Sequence, residues 1–300
     1  MDRRNVPARI GIALLNVLAP GLGLLRLGRW KLALALYLVA TVVTTLLTAG
    51  PPLSFPVFGT IAVAVLMVYP VAIGLSWHFS RNKTEQLPWY GRWYVVVAAF
   101  LAAFSISYVL TGEDRLTYRS FYMPAESMAP TLPKNDRLFA YMRAPKTLKR
   151  GDLILVRTGH GDIYIKRVAA LPGDRIGMIN GFVTIDGSPV QQRQVGTDLI
   201  DDAFGKARAR RLAEQFPGES KPHEIYDLGE SPFDNMTSTR VLSGHVFVLG
   251  DNRDRSADSR VSREEAGLEQ VAFADIVGRP LFFSWGSSRP LGTPVPPNER

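Results

Sequence analysis

Cysteine is absent from this chain of 300 residues, and histidine is rare, with only four copies. The lack of cysteine excludes disulfide bonds, thiolate catalysis and cysteine-ligated metal sites. None of the four histidines, His78, His160, His223 and His245, stands in a sequence setting that favours catalysis. His223-Glu224 lacks the second histidine of an H-E-x-x-H zinc site, and no G-x-S-x-G elbow occurs. The chain therefore offers little for thiol, zinc or histidine-assisted serine chemistry, and we expect no cofactor.

The charge of the chain is strongly basic, with a formal net charge of +8 from 35 basic and 27 acidic residues. This balance suits a membrane protein with basic cytoplasmic loops, and by itself it would equally suit a nucleic-acid binder. The one dense arginine cluster, Arg208, Arg210 and Arg211, has no aromatic residues between its members. A solvated helix face is the favoured interpretation of that cluster, so we expect a lipid bilayer, and no nucleic acid, as a partner.

Apolar residues are concentrated in the first third of the chain, and residues 1–112 are predicted to form a multi-span α-helical membrane region. Uncharged runs long enough to cross a bilayer occupy residues 32–49, 53–77 and 93–111. An earlier apolar segment, residues 10–25, is broken by Pro20-Gly21-Leu22-Gly23, so it is predicted as a re-entrant or interfacial hairpin. A secretory signal peptide is the alternative for that segment, but no small-x-small cleavage site follows it and further apolar runs come next.

The direction of the spans follows from the basic residues in the loops, because basic loops stay in the cytoplasm. Such residues precede the first span and separate the second span from the third: Arg26, Arg29, Lys31, Arg81, Lys83 and Arg92. The third span is therefore predicted to carry everything after it to the outer side of the membrane.

Residues 113–290 are predicted to form this extracytoplasmic domain with a mainly β fold, because short apolar runs alternate with turn sequences such as Asn180-Gly181 and Asp186-Gly187. Residues 191–243 interrupt the pattern with charged, helix-capable sequence followed by Pro/Gly/Ser-rich sequence, so they are predicted to form an inserted α/β subdomain. The Pro-rich residues 291–300 are predicted to be a disordered tail.

Ser127 is the first candidate catalytic residue. It lies between Pro124 and Pro130, just after the last long apolar run. Each proline pushes the residue before it out of the helical region, so the segment is predicted to be an extended or turned loop that exposes the serine. A serine hydroxyl is a weak nucleophile unless a neighbouring base takes its proton.

Lys166 is the candidate base. The alternation of Ile163 and Ile165 with Tyr164 and Lys166 predicts a strand that ends at Pro172-Gly173. A lysine on an apolar strand face loses hydration, and this lowers its pKa from a model value of about 10.4 towards the working pH. A lysine that simply extends to solvent from a strand edge fits the same segment equally well.

Three motifs together resemble the boxes of type I signal peptidases, and they occur in the same order as in that family. They are MPAESMAPTL at 123–132, YIKRVAALPGD at 164–174 and GDNRDRSADSR at 250–260. The last box is the most specific, since it agrees at nine positions with the family pattern GDNRDNSxDSR. The resemblance spans about residues 119–285.

The resemblance implies a membrane-bound Ser/Lys endopeptidase of the bacterial inner membrane, which removes signal peptides from exported preproteins that have small side chains at the first and third positions before the cut. It makes Ser127 the nucleophile and Lys166 the neutral base. The Ser127 backbone N–H becomes an oxyanion donor. The other implied roles are orientation of the lysine amine by Ser256, structural support by Asp258 and Arg260, and lining of the substrate pocket by Met128.

The main departure from the family pattern is Ala125, which stands where the family places a serine or threonine whose hydroxyl is the second oxyanion donor. The other two departures, Arg255 for asparagine and Ala170 for glycine, look tolerable. Ala125 leaves open a catalytically weak or inactive homologue that acts as a membrane binding or regulatory protein. A self-cleaving repressor with Ser/Lys chemistry is a third reading, but it would need a DNA-binding helix-turn-helix where this chain has apolar spans.

Overall fold

The computed structural model describes residues 6–49, 53–82, 89–111, 117–202 and 205–296. It consists of two compact units, Met1–Tyr118 and Arg119–Arg300. The predicted domain boundary at residues 112 and 113, the basic residue Lys83 and the last four residues of the predicted tail lie outside the described residues.

The first unit is helical. Its α-helices are α1 (Val6–Leu18), α2 (Leu22–Arg26), α3 (Trp30–Ala49), α4 (Phe55–Phe79) and α5 (Trp93–Thr111). Short 3-10 helices at Ser80–Asn82 and Trp89–Gly91 follow α4 and precede α5. The long helices form because their sequences are apolar and almost free of charge, and they leave many large apolar side chains exposed.

The predicted break in the first apolar segment is present between α1 and α2. Gly21 has a φ of 99°, a left-handed conformation that favours glycine. The buried side chain of Asn16 satisfies the broken backbone, because its Oδ1 accepts hydrogen bonds from the Gly21 N–H at 2.9 Å and the Gly23 N–H at 3.2 Å. Its Nδ2 donates to Ser76 Oγ of α4 at 2.9 Å, so the hairpin is fixed to the longest helix.

Among the described residues, one helix, α4, is long and apolar enough to cross a membrane by length and composition. The apolar stretches Val6–Leu18, Trp30–Thr45 and Trp93–Ile106 are shorter. Pro70 lies inside α4. The helical character predicted for the N-terminal region is confirmed, and the number of spans stays a prediction.

The second unit is mainly β, as predicted. Its strands are β1 (Tyr118–Tyr122), β2 (Arg137–Tyr141), β3 (Leu153–Arg157), β4 (Ile163–Ala170), β5 (Arg175–Ile179), β6 (Phe182–Ile185), β7 (Ser188–Pro189), β8 (Gln191–Asp202), β9 (Gly205–Gln215), β10 (His223–Asp227), β11 (Met236–Arg240), β12 (His245–Leu249), β13 (Val271–Ala272) and β14 (Ile276–Phe283). Two 3-10 helices occupy Arg263–Glu265 and Phe273–Asp275.

These strands form three sheets. A seven-stranded sheet has the order β1-β2-β14-β3-β4-β12-β13, a four-stranded sheet the order β11-β5-β6-β7 and a three-stranded sheet the order β10-β9-β8. In the seven-stranded sheet, β3 and β4 pair antiparallel and bury almost all of their side chains. The predicted strand that carries Lys166 is therefore a central strand, flanked by β3 and β12.

The two predicted hairpin turns are also confirmed. Asn180 and Gly181 have φ values of 51° and 82° and join β5 to β6, while Asp186 and Gly187, with φ values of 51° and 82°, join β6 to β7. Positive φ at both turn residues matches the twist of the flanking strands, which explains the Asn-Gly and Asp-Gly sequences.

The helix predicted within residues 191–243 is wrong, because this segment begins with the long antiparallel hairpin of β8 and β9, to which β10 adds a third strand. The arginine cluster accordingly lies on a strand. Arg210 pairs with Asp227 at 2.7 Å, and Arg211 lies 3.6 Å from Asp198. Pairing along the whole hairpin outweighs the helix propensity of Ala, Arg, Leu and Glu.

The prediction of a disordered tail is wrong for residues 291–296. Val295 is buried in the core of the second unit, and its N–H donates to Leu281 O at 2.9 Å. Pro294 forms a bridge with Phe282 of β14. An extended Pro-x-Pro segment needs few backbone donors, so it can run along a strand while it buries the valine between the prolines.

Candidate active site

A cleft of about 430 Å³ in the second unit contains both principal candidate residues, Ser127 and Lys166. One wall is the loop before Ser127, and the other is the first half of β4 with part of the loop after β12. The lining residues are Phe121, Tyr122, Met123, Pro124, Ala125, Ser127, Asp162, Ile163, Tyr164, Ile165, Lys166, Arg255 and Ala257. The cleft is thus mostly apolar, with a few polar groups.

The Ser127 loop is held at its backbone. The Ser127 carbonyl accepts a hydrogen bond from the Asn252 N–H at 3.1 Å, which ties the first of the three boxes to the last. Ser127 itself is half-buried and Ala125 is exposed on the same wall.

Met128 lies on the opposite side of the loop and is fully buried. The structure places it in the core beside Leu132 and Leu138, away from the lining of the cleft in the described residues. The expectation that Met128 lines the substrate pocket is therefore not met. Met123, five residues earlier, is the methionine that lines the cleft, although it also packs in the same core. Met128 lies in a turn whose Leu132 N–H donates to the Met128 carbonyl at 2.8 Å, and its side chain is buried beneath that turn.

Lys166 is almost completely buried, and its Nζ donates a hydrogen bond to Ser256 Oγ at 2.9 Å. The Tyr164 ring lies beneath the amine, with its centroid 5.7 Å from Nζ. Burial lowers the pKa of the Lys166 amine to about 8, although the carboxylates of Asp258 and Asp251 oppose the shift. The neutral amine is therefore a minor species at pH 7 and the main species above about pH 8, and only the neutral form can accept a proton.

Asp258 and Arg260 form a buried ion pair behind Ser256. Arg260 Nε and Nη2 donate to the two carboxylate oxygens of Asp258, each at 2.9 Å. Burial raises the pKa of the Asp258 carboxyl, but the guanidinium outweighs it and leaves the pKa below its usual value. Asp258 Oδ2 also accepts from the Gly250 N–H at 2.9 Å, so the pair closes residues 250–260, the signature loop, on itself.

The signature loop also pairs with residues outside it. Asp251 accepts two hydrogen bonds from the Arg167 guanidinium, at 2.7 and 2.6 Å, and both side chains are buried. Arg253 forms a bidentate pair with Glu214 of β9. Arginines alternate with aspartates along residues 251–260, and this pattern predicts ion pairs within the loop. That prediction is confirmed for Asp258 with Arg260 and wrong for these two residues, whose partners lie far away in the chain.

Glu214 and its neighbours are supporting residues that the sequence does not reveal. Glu214 stands among alternating charged and small residues that resemble an exposed strand or helix, yet it is fully buried. The one signal in the sequence is the high density of charged residues in the signature loop. It indicates that these residues need oppositely charged partners, but it does not identify the partners. The cleft therefore contains a serine hydroxyl and a buried amine of lowered pKa, and the amine is hydrogen-bonded to a second, buried hydroxyl, that of Ser256. This arrangement is suited to acyl transfer with a lysine as base.

Comparison with known proteins identifies the family of this chain. The family model described as signal peptidase, peptidase S26, matches residues 91–285. The match covers well over half of the chain, and the chain therefore belongs to this family. It is a serine peptidase, and so a hydrolase, of the signal peptidase I type.

Curated relatives are called signal peptidase I as well. One from Rickettsia bellii is 26% identical over 241 residues, which cover 70% of this chain and 76% of that protein. A probable signal peptidase I-1 from Synechocystis is 33% identical over 181 residues, which cover 56% of this chain and 71% of that protein. A crystal structure of a signal peptidase I from Enterococcus faecalis has 22% identity, covers 45% of this chain and 97% of that one, and has a TM-score of 0.27.

Proposed function

We propose that this protein is a membrane-bound serine endopeptidase that removes N-terminal signal peptides from exported preproteins, with Ser127 as nucleophile and Lys166 as general base. The observation that carries the proposal is the setting of Lys166, a buried amine in the same cleft as Ser127 and hydrogen-bonded to Ser256. Membership of the family and the names of the relatives support signal peptides as the substrate.

The reaction has two acyl-transfer steps. Ser127 Oγ forms a bond to the scissile carbonyl carbon while neutral Lys166 takes the hydroxyl proton. The C–N bond then breaks, and the Lys166 ammonium returns the proton to the leaving amine, which becomes the N-terminus of the mature protein. Lys166 next takes a proton from water as it attacks the ester, and the signal peptide leaves with a free carboxylate while the proton returns to Ser127.

Ser256 orients the Lys166 amine as the third member of a triad does. Because Nζ donates to Ser256 Oγ, the amine is held in one rotamer and its lone pair can point towards Ser127. Asp258 and Arg260 act one step further back and hold the loop that carries Ser256. Their role is structural, and their charges also tune the Lys166 amine.

The substrate lies extended along the wall formed by the start of β4 and the residues before Ser127, and side chains alternate into shallow apolar pockets. The apolar lining, which includes Ile163, Ile165 and Met123, favours small uncharged side chains beside the cut. Purified full-length protein in detergent, given a model preprotein, should make a single cut after a small-x-small motif, and mass spectrometry of the two products identifies the position. Failure to cut several preproteins, by protein shown to be folded, would contradict the proposal.

The rate of cleavage should rise with pH through about 8, because burial lowers the pKa of Lys166 to that value and only the neutral amine accepts the serine proton. The measurement is single-turnover cleavage between pH 5 and 10, under conditions where chemistry limits the rate. Histidine-directed reagents should leave the rate unchanged. A flat profile over this range would remove Lys166 as the base.

Substitution of Ala125 by serine should raise kcat severalfold, with KM nearly unchanged. In this chain the Ser127 N–H is the proposed oxyanion donor, and an added hydroxyl supplies a second; loss of such a donor in other enzymes costs on the order of 2.7 to 4 kcal/mol. The gain should be smaller here because the surroundings are not shaped for that hydroxyl. Ala125→Val, which adds bulk without a donor, is the matched control.

The same position separates the proposal from its alternative, a catalytically weak homologue that acts as a membrane binding or regulatory protein. A fall in kcat on Ala125→Ser would mean that another group already fills the second donor place. Absence of cleavage by both versions would favour the alternative.

We propose further that the protein is a multi-pass protein of the bacterial inner membrane, with the second unit on the periplasmic or extracytoplasmic side. A reporter that is active only outside the cytoplasm should be active when fused after Arg119, and a cytoplasmic reporter should be active when fused after Arg81. The basic loops support this orientation, and the apolar helix α4 supports insertion into a membrane. The reverse pattern would put the cleft on the wrong side for exported preproteins.

A further inference from the structure

The three-stranded sheet of the insertion, β8 to β10, is attached directly to the signature loop. The Tyr226 N–H of β10 donates to Asp251 O at 2.8 Å, and the Arg253 N–H donates back to Tyr226 O at 3.0 Å. The Leu228 N–H donates to Asp254 Oδ2 at 2.7 Å. Strand β10 thus pairs with residues 251–254 much as a neighbouring strand would. The insertion therefore supports the signature loop through these hydrogen bonds.

Glu214 makes the deepest of these attachments. It lies on the central strand β9 and is fully buried, and its carboxylate accepts from both terminal nitrogens of Arg253. Gln192 Nε2 of β8 donates to Glu214 Oε1 at 2.7 Å, and His223 Nε2 of β10 lies 3.3 Å from Glu214 Oε2. Residues from all three strands of the insertion therefore contact Glu214, which holds Arg253.

A short chain of contacts connects that arginine to Lys166. The Arg253 carbonyl accepts from Arg260 Nη2 at 2.5 Å, and Arg260 pairs with Asp258, which accepts from the Gly250 N–H. Gly250 packs directly against Ser256, so closely that a Cβ at Gly250 would overlap the serine side chain. Ser256 accepts the hydrogen bond from Lys166. A shift of Arg253 would thus pass to the partner of the lysine through hydrogen bonds and one close packing contact.

We infer that Glu214 is a positioning residue for the cleavage reaction, because through Arg253 it fixes the signature loop and with it the place of Ser256 beside Lys166. This inference rests on the proposed Ser127/Lys166 chemistry and extends it to the insertion. Stability alone does not account for the pair, since buried ion pairs are often replaceable by apolar residues without loss of stability. A bidentate carboxylate–guanidinium pair does fix distance and angle, which is what a loop carrying a reacting group's partner requires.

The test compares E214Q with E224Q in the full-length protein. Glu224 lies on β10 of the same sheet and its carboxylate is about half exposed, so the same substitution there changes the charge equally without touching the signature loop. E214Q should lower kcat about 10- to 100-fold with KM nearly unchanged, since small displacements of reacting groups cost factors of this size. E224Q should cleave at the parent rate.

The pH dependence of cleavage gives a readout that a merely structural role would not move. Burial is the main cause of the low pKa of Lys166, and the groups that face the amine are Ser256, Tyr164, Asp258, Asp251 and Arg260. Loosening of the signature loop admits water to the amine and raises its pKa towards the ordinary value. The rise of activity with pH should therefore move to higher pH in E214Q, whereas partial unfolding would lower the rate at every pH alike.

E214Q leaves a buried guanidinium without its carboxylate, so a second variant guards against loss of folding. E214Q/R253Q leaves no charge stranded, should fold, and should show the same shift in pH dependence. Amide hydrogen exchange supplies a readout that needs no cleavage: the N–H groups of Gly250, Asn252 and Arg253 should exchange at least tenfold faster in the Glu214 variants and unchanged in E224Q.

If the parent protein cleaves nothing, the proposed function fails while hydrogen exchange still decides whether Glu214 holds the loop. If S127A and K166M are inactive and E214Q matches the parent in kcat, pH dependence and exchange, the proposed function stands and the inference about Glu214 is overturned.

Discussion

Replacement of Ser127 by alanine, or of Lys166 by methionine, should each lower cleavage of a preprotein by on the order of 10⁴-fold or more, which is a loss of detectable product. The two residues supply different parts of one event, since one provides the attacking oxygen and the other removes its proton. The double variant should therefore be no worse than either single variant. Single-turnover cleavage with enzyme in excess over preprotein measures all three.

The control for this experiment is stability. Below about pH 8 the Lys166 amine is protonated in both the folded and the unfolded states, and burial of its charge lowers the free energy of unfolding of the protein. This destabilisation disappears as the pH rises from about 8 to 10.5, because the amine becomes neutral in the folded state first. Lys166→Met removes a cost of up to about 3 kcal/mol, so this variant should be at least as resistant to thermal unfolding as the parent at pH 7. An inactive variant of high stability isolates a chemical loss. Cleavage at the parent rate by a Ser127 or Lys166 variant would refute the dyad.

The parts of this protein that the sequence predicts are those governed by short-range patterns. The strand that carries Lys166 follows from alternation of apolar residues, and the turns at Asn180-Gly181 and Asp186-Gly187 follow from the positive φ that such pairs accept. The apolar neighbours of Lys166 likewise indicate that its side chain is buried. The sequence alone leaves a solvent-extended lysine equally open, and the central position of β4 decides between the two.

The parts that escape prediction depend on partners far away in the chain. Residues 205–215 have good helix formers, and only their pairing with β8 makes them a strand. Glu214 resembles a surface charge until Arg253, nearly forty residues later, is placed beside it. Met128 stands next to Ser127, yet the packing of the loop sends it into the core. Each case is one in which tertiary contact outweighs local preference.

Substitution of Gly250 by alanine should lower kcat/KM about 100-fold or more while the protein stays folded. Position 250 accommodates only glycine, because Ser256 and the Ser127 loop occupy the space that a side chain would need. A Cβ built there would lie 2.6 Å from Ser127 O and closer still to Ser256 Oγ and Cβ. Neither neighbour is the free end of a flexible side chain, so the backbone of one or both must move.

That movement would separate Ser127, the proposed nucleophile, from the Lys166 amine, because Ser256 holds that amine by a hydrogen bond. A displacement of about 1 Å at reacting groups is enough for a loss on the order of 10²-fold. Gly159→Ala is the matched control, since a Cβ at Gly159 meets nothing within 4 Å. The measurement is kcat/KM for one preprotein, with thermal unfolding recorded for each variant. If Gly250→Ala cleaved as fast as Gly159→Ala, the close packing of the serine loop on the signature loop would have no part in aligning Ser127 with Lys166.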